Sequence, residues 1–295
     1  MAIYSIRDLE KLTGIKAHTI RIWEQRYGLV APSRTDTNIR FYSDENLRHL
    51  FNVALLNRYG YKISKLAKMQ PEEVATKVAD FAQNNNSPNA QVEALTLAML
   101  DFDEAAFDRI FAAYFWENGF EQTLIQLIYP FLDRLTALWM AHNVSRAHEK
   151  FITNLIKRKM MVAIDKESAP SNDASGVKKL LLYLPDSEGQ ELTLLFLHYL
   201  LKVRHHNVIY LGAGISLDDL RDAAESFKPD YVFTILHTSL HKQPVQAYID
   251  SAAQIAAPAQ ILLTGAQVFA NPLKLPPNAH RLSGMSDTLQ FLDTL

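Results

Sequence analysis

The apolar positions of the first seventy residues fall in short helical stretches separated by turn residues. Ser5 is placed to cap a helix over 6–12, and Gly14 breaks it as a left-handed turn residue would. A second helix is predicted over 17–27, stopped by Gly28. Residues 29–42 are polar, with Pro32, Asp36 and Asn38 beside alternating Ile39 and Phe41, which is the pattern of a hairpin. Ser43 opens another helix that runs to about Tyr59, and a short one follows over 64–69.

From about 71 to 165 the pattern is helical throughout. Residues 84–89 form a polar loop, with Ser87 and Pro88 placed to begin the next helix. Helices over 88–100, 103–118, 120–141 and 145–165 with short breaks predict antiparallel neighbours in a four-helix bundle. Pro130 lies inside the third and is expected to kink it. Residues 167–176 are small, polar and aperiodic, as an interdomain linker is. Beyond them, strand-like runs at 180–184, 208–211, 231–236 and 261–264 alternate with helical patterns at 189–203, 217–227, 242–256 and 286–294. That alternation predicts a parallel sheet with helices on both faces, and a fifth short strand near Arg281 and Leu282.

A chain of 295 residues, 48% hydrophobic, has room for two or three domains with real cores. It has no cysteine, which excludes disulfides, a cysteine-based zinc site and a thiol nucleophile, and fits a cytoplasmic protein. The first eight residues carry charge where a secretory signal would be apolar. No apolar run approaches the roughly 18 residues of a membrane span. The net charge of −2 conceals a split. Residues 1–70 hold twelve Lys and Arg against six Asp and Glu, a net of +6, which leaves −8 for the rest. Such asymmetry points to a polyanion at the N-terminal end, although a solvated basic surface gives the same count.

The second helix carries Lys16, His18, Thr19, Arg21, Gln25 and Arg26, while Ile20 and Trp23, three apart, can pack inward. Arg21 and Gln25, four apart, can enter a major groove together, and Thr19 suits base or phosphate. Arg34 and Arg40 on the hairpin can reach flanking phosphates. The order Tyr4-Ser-Ile6-x-x-Leu9-x-x-x-Thr13-Gly14-Ile15, then Thr19-Ile20-Arg21-x-Trp23-Glu24-x-Arg26-Tyr27-Gly28-Leu29, Pro32, Arg34 and Asn38-x-Arg40-x-Tyr42, resembles the MerR family over about residues 3–69. The resemblance implies a winged helix-turn-helix whose Thr-Ile-Arg helix reads the major groove and whose wing arginines hold phosphates. It places DNA contacts on Lys16, Thr19, Arg21, Gln25, Arg26, Arg34 and Arg40, and assigns Tyr42 either a backbone contact or a structural wing role. The partner is then a promoter or operator duplex, with RNA polymerase affected by spacer distortion or by blockade. Metal sensors of that family use cysteines and a long dimerisation helix. This chain has no cysteine, and 71–81 is too short for such a helix, so a homodimer or homotetramer must form through the later domains or on DNA.

A helical bundle followed by a flavodoxin-like domain resembles the cobalamin-binding module of methionine synthase, and joined to a MerR head it resembles the CarA/CarH/LitR type of regulator. There adenosylcobalamin sits between bundle and sheet. The Asp-x-His-x-x-Gly motif that supplies the lower cobalt ligand reads Asp186-Ser187-Glu188-Gly189-Gln190-Glu191 here, with Glu188 at the histidine. A carboxylate is a poor substitute for imidazole at cobalt. The later Ser-x-Leu reads Thr234-Ile235-Leu236, and Gly-Gly reads Gly265-Ala266. In the bundle, the Trp and Glu-His that face the adenosyl side read Trp139 and Glu149-Lys150. Three outcomes stay open for this cleft. Cobalamin binds without a protein ligand, another small ligand takes the site, or the domain is ligand-free and serves assembly or a protein partner.

Weaker constellations are read structurally. Gly212-Ala213-Gly214 lacks the third glycine of a dinucleotide fingerprint and is expected to be a tight turn. His237 and His241 are read as loop histidines, not a metal site. The chain is therefore expected to be a multidomain, non-enzymatic regulator. Its head, an all-α winged helix-turn-helix, spans 1–70. A helical bundle spans 71–165, a linker 166–178, and a flavodoxin-like, doubly wound α/β domain 179–295. A corrinoid-carrying enzyme subunit is the rival, and it would need histidine at 188.

Overall fold

The computed structural model describes residues 4–34, 40–84, 88–140, 144–167, 176–186, 188–238, 244–270 and 272–295. The chain divides into two compact units, Met1–Asn154 and Leu155–Leu295. The tip of the expected wing, most of the expected linker, Ser187 and His241 lie outside the described residues.

In the first unit, α1 (Ile6–Thr13) starts at Ser5, whose hydroxyl accepts the Asp8 N–H while the Asp8 carboxylate accepts the Ser5 N–H. Gly14 then turns the chain at φ 72°, a conformation open to glycine at little cost. α2 (Ala17–Tyr27) follows, ended by Gly28. β1 (Ser33–Arg34) and β2 (Arg40–Phe41) pair antiparallel as the wing. α3 (Asp44–Arg58), capped by Ser43, and α4 (Ile63–Leu66) complete the head. Leu9, Leu12, Ile20, Leu50 and Leu66 are all but fully buried and form its core.

α5 (Pro71–Asn84), α6 (Pro88–Leu100), α7 (Glu104–Thr123), α8 (Tyr129–Met140) and α9 (Arg146–Lys166) follow. Gly119 interrupts α7 with φ 76°, at the expected break between 118 and 120. Pro130 behaves differently from the simple kink expected. A π-helical turn, Leu124–Ile128, precedes it, with the Tyr129 N–H donating to the Leu124 carbonyl. That wider turn makes room for a residue that has no N–H and would crowd the carbonyl four residues back. Phe107, Leu124, Leu127, Ile128, Phe131 and Ile152 fill the bundle core.

In the second unit, β3 (Lys179–Pro185), β4 (Asn207–Ile215), β5 (Tyr231–Ile235), β6 (Gln260–Thr264) and β7 (Ala279–Arg281) form one parallel sheet in the order β4-β3-β5-β6-β7. Its chain-order pattern is flavodoxin-like, with the switch point between β3 and β5. The helices are α10 (Glu191–Val203), α11 (Leu217–Phe227), α12 (Val245–Ala256), α13 (Ala266–Ala270) and α14 (Met285–Leu292). Leu181, Tyr183, Val232 and Ile261 pack with Leu220 of α11 and Tyr248 and Ile249 of α12. On the opposite face, Phe196 and Leu200 of α10 and Met285 of α14 meet around Phe233.

The glycine turn expected after a strand over 208–211 is not a turn. β4 continues through Gly212 and Gly214, at φ 78° and 81°, and its register against β3 shifts between Leu182 and Pro185. The glycines are bulge residues inside the strand. α13 was not predicted, because five residues carry too little periodicity. Among the described residues no helix is long and apolar enough to cross a membrane.

Candidate nucleic-acid interface and the sheet crevice

The short turn between α1 and α2 makes a helix-turn-helix. α2 is divided cleanly. Ile20 and Trp23 are buried, and His18, Arg21, Ile22, Gln25 and Arg26 are exposed on the other side. Positions 18, 21, 22 and 25 fall at helical spacing on one stripe, so Arg21 and Gln25 are presented together. Lys16 is exposed, 3.1 Å from the Glu10 carboxylate. That contact and the Ala17 N–H hold the Glu10 carboxyl below its ordinary range. Thr19 is half-buried, its hydroxyl 3.3 Å from the His18 ring. The Arg26 guanidinium lies 5.4 Å above the Tyr27 ring.

The wing is pinned to this helix through Glu24, a part-buried acid whose role the sequence alone does not assign. Its carboxylate accepts from Arg40 Nε at 3.2 Å and from the Tyr42 hydroxyl at 3.3 Å. Arg34 is exposed on β1, whereas Arg40 is half-buried. Tyr42 is fully buried, and its backbone pairs with Tyr4. Of the two roles open to Tyr42, such burial fits the structural one, a framework group of the wing. Burial, with the Glu24 carboxylate beside it, pushes the Tyr42 hydroxyl up to about 12.

The crevice at the carboxyl ends of β3 and β5 gathers Asp186, Glu188, Leu236 and Gly265. Glu188 is buried. Its Oε2 accepts from the N–H groups of His237 and Thr238 at 2.7 and 2.8 Å, and its Oε1 accepts from Gly189 N–H at 2.9 Å. The carboxylate thus ties the loop after β3 to the loop after β5. Gly265, at φ 107°, brings the loop after β6 against Leu236 so closely that a Cβ there would lie 2.5 Å from the Leu236 carbonyl oxygen. Thr234 and Leu236 are fully buried. Beneath them the Tyr248 hydroxyl donates to the Tyr183 hydroxyl at 3.0 Å, and burial pushes Tyr183 up to about 12. This donor set does not fit a cobalt ligand. Residue 188 offers no imidazole, and both its oxygens are engaged by main-chain donors.

In the bundle, Trp139 lies on α8 with its side chain outside the described residues. Glu149 is half-buried at the start of α9, its carboxylate 3.9 Å from Lys150 Nζ. His148 stacks on Phe102 at 4.4 Å and contacts the Ser145 hydroxyl at 2.8 Å. Among the described residues no group of three or more His, Asp or Glu could hold a metal ion.

Residues 4–73 match the family model of the MerR HTH family regulatory protein, and residues 91–163 match that of the B12 binding domain. The chain is 26% identical over 242 residues to the HTH-type transcriptional repressor CarH of Myxococcus xanthus, covering 78% of this chain and 77% of that protein. It is 26% identical over 266 residues to the repressor CarA of the same organism, covering 88% and 85%. The HTH-type transcriptional regulator MlrA of Escherichia coli (strain K12) is 32% identical over 73 residues, 25% of this chain and 30% of that protein. With the helix-turn-helix geometry, these matches define the class. The chain is a DNA-binding transcriptional regulator with a MerR-type head and a cobalamin-binding-type module. It resembles in particular the CarA/CarH type, over most of its length.

Proposed function

We propose that this chain is a non-enzymatic cytoplasmic repressor that reads a roughly two-fold symmetric operator through α2. The observation that carries the reading is the division of that helix. Arg21 and Gln25 stand on the exposed stripe, while Ile20 and Trp23 anchor the opposite side in the core. Arg is suited to guanine edges and Gln to adenine. Lys16, Arg26, Arg34 and Arg40 flank the stripe as phosphate contacts, and Thr19 serves either role. Repression follows the named activity of CarH and CarA.

The protein acts as a homodimer or homotetramer, because helix-turn-helix proteins pair half-sites through their own symmetry. α5 spans only 14 residues, so assembly falls to the C-terminal half. That half serves as an assembly module in which Glu188 closes the crevice by tying two loops, and cobalamin is not its ligand. The domain limits follow the same division, with the head at 1–70, the bundle at 71–165, the linker at 166–178 and the sheet domain at 179–295.

Selection of bound duplexes from a random pool tests the DNA reading. An enriched inverted repeat is expected, and a pool without enrichment overturns it. Adenosylcobalamin mixed with the protein and then desalted tests the second half. A colourless protein fraction is expected, and a retained corrinoid spectrum overturns the cobalamin-free module.

A further inference from the structure

One cavity has no part in the sites described above. It lies within the first unit and has a volume of about 190 Å³. Asn52 of α3 forms one wall, and Gln91, Ala94 and Ala98 of α6 form another. Ala75 of α5 and Ala106 of α7 stand at its rim. The space exists because alanines stand on three facing helices where larger side chains would interdigitate. Its walls combine alkyl surface with two amides, those of Asn52 and of Gln91, the latter only 3% exposed. A mainly apolar lining with a few polar groups is the usual anatomy of a small-molecule site. A dry cavity of about 150 Å³ accepts benzene.

Three charged side chains, Asp101, Asp103 and Arg109, also line the space. Asp101 pairs with Arg48 at 2.8 Å, and the Asp103 carboxylate accepts the Ala106 N–H at 2.8 Å at the start of α7. With Asp101 paired, the remaining charges of Asp103 and Arg109 are opposite in sign, so a ligand meets alkyl groups, amides and little net charge to favour an ion.

The position of the cavity matters as much as its lining. α3 belongs to the helix-turn-helix head, and three ties join it to the bundle around this space. Arg48 pairs with Asp101, Arg58 pairs with the buried Glu93 of α6, and the Arg134 guanidinium lies 5.7 Å above the Phe51 ring. Arg58 also donates to the Thr13 carbonyl at 3.3 Å, at the turn that leads into α2. A body lodged between α3 and α6 loads the ties that set the head against the bundle.

We propose that this cavity is an effector site for a small uncharged molecule, a single ring bearing one hydrogen-bonding group, and that its occupancy alters operator affinity. The second half rests on α2 being the operator reader, and the first half does not. Coupling between two such sites typically amounts to about 5- to 150-fold in affinity.

Benzyl alcohol, benzoate and benzylammonium serve as probes on the full chain, read by saturation-transfer NMR. Signal transfer is expected for benzyl alcohol and to be strongest there. It is expected to be lost in Ala98→Leu, which fills the floor, and in Ala75→Phe, which covers the mouth from an exposed position. Ala75→Phe decides alone if the core variant fails to fold by circular dichroism. No transfer for benzyl alcohol, transfer unchanged by Ala75→Phe, or preference for either ion overturns the site. Saturating benzyl alcohol is expected to shift the operator Kd of the unmodified protein at least about fivefold and to leave the Ala75→Phe variant unmoved. An unmoved Kd beside intact NMR binding overturns the coupling. A protein that selects no operator at all fails the DNA reading while the NMR result stands.

Discussion

Glu188 and Tyr42 show how one side chain can change the meaning of a motif. At 188 a carboxylate stands at the histidine position of the cobalamin-binding motif that the chain resembles, and its two oxygens accept three main-chain N–H groups, two of them across the crevice. Glu188→Ala leaves those buried donors unmatched and is expected to lower unfolding stability by about 2–4 kcal/mol. A shift in the denaturant midpoint at constant slope measures it, and an unchanged midpoint contradicts the staple. The letter at 188 was legible in the sequence as a departure, but its partners across the crevice, His237 and Thr238, were not, because they lie some fifty positions away in a loop with no periodic signal. Tyr42 was legible as part of the wing. Its burial was not, since Tyr42 lies just past a two-residue strand whose alternation cannot tell which face meets the core. Tyr42→Phe removes only the hydroxyl on Glu24 and is expected to cost the head about 0.5–1.5 kcal/mol, read by thermal unfolding. A loss outside that range contradicts the hydrogen bond.

Elements were the most legible scale. Ser5 and Gly14 mark the ends of α1, and Gly28 marks the end of α2, because capping and left-handed turns are local. The π-helical turn before Pro130 and the bulged run of β4 were hidden, since both depend on neighbours in space. α2 and the wing carry phosphate contacts as well as base contacts, so Lys16→Ala and Arg34→Ala should weaken operator and random duplexes alike. Each should reduce the salt dependence of binding by about one unit of slope. Loss confined to the operator would contradict a phosphate role. On α10, burial, reinforced by Lys202, lowers His198 to about 4 from its ordinary 6.5. The folded chain keeps this ring neutral while the unfolded chain protonates it below about 6.5, so the unfolded state binds more protons between about 4 and 6.5. Stability should therefore fall as pH is lowered through that window. His198→Gln should flatten the fall, and a melting curve with the same pH slope in the variant would exclude His198 as its source.

For the whole molecule, the charge split was the plainest signal in the sequence: +6 in the first seventy residues and −8 in the remainder. It agrees with a DNA-binding head, and the head's helix-turn-helix supplies the geometry that charge alone could not. The alternation of strand and helix fixed the class of the C-terminal sheet, and the order β4-β3-β5-β6-β7 follows the flavodoxin-like pattern. What the alternation left open was the cleft, because a crevice is made by loops, and loops are read from contacts rather than from periodicity. The most direct test of the account is a footprint on the selected operator with the unmodified protein and with Arg21→Ala. A protected inverted repeat is expected for the first and, for the variant, at least a tenfold loss of specific affinity (about 1.4 kcal/mol or more) with non-specific binding retained. An Arg21→Ala protein that leaves the same footprint at the same concentration would contradict α2 as the reader.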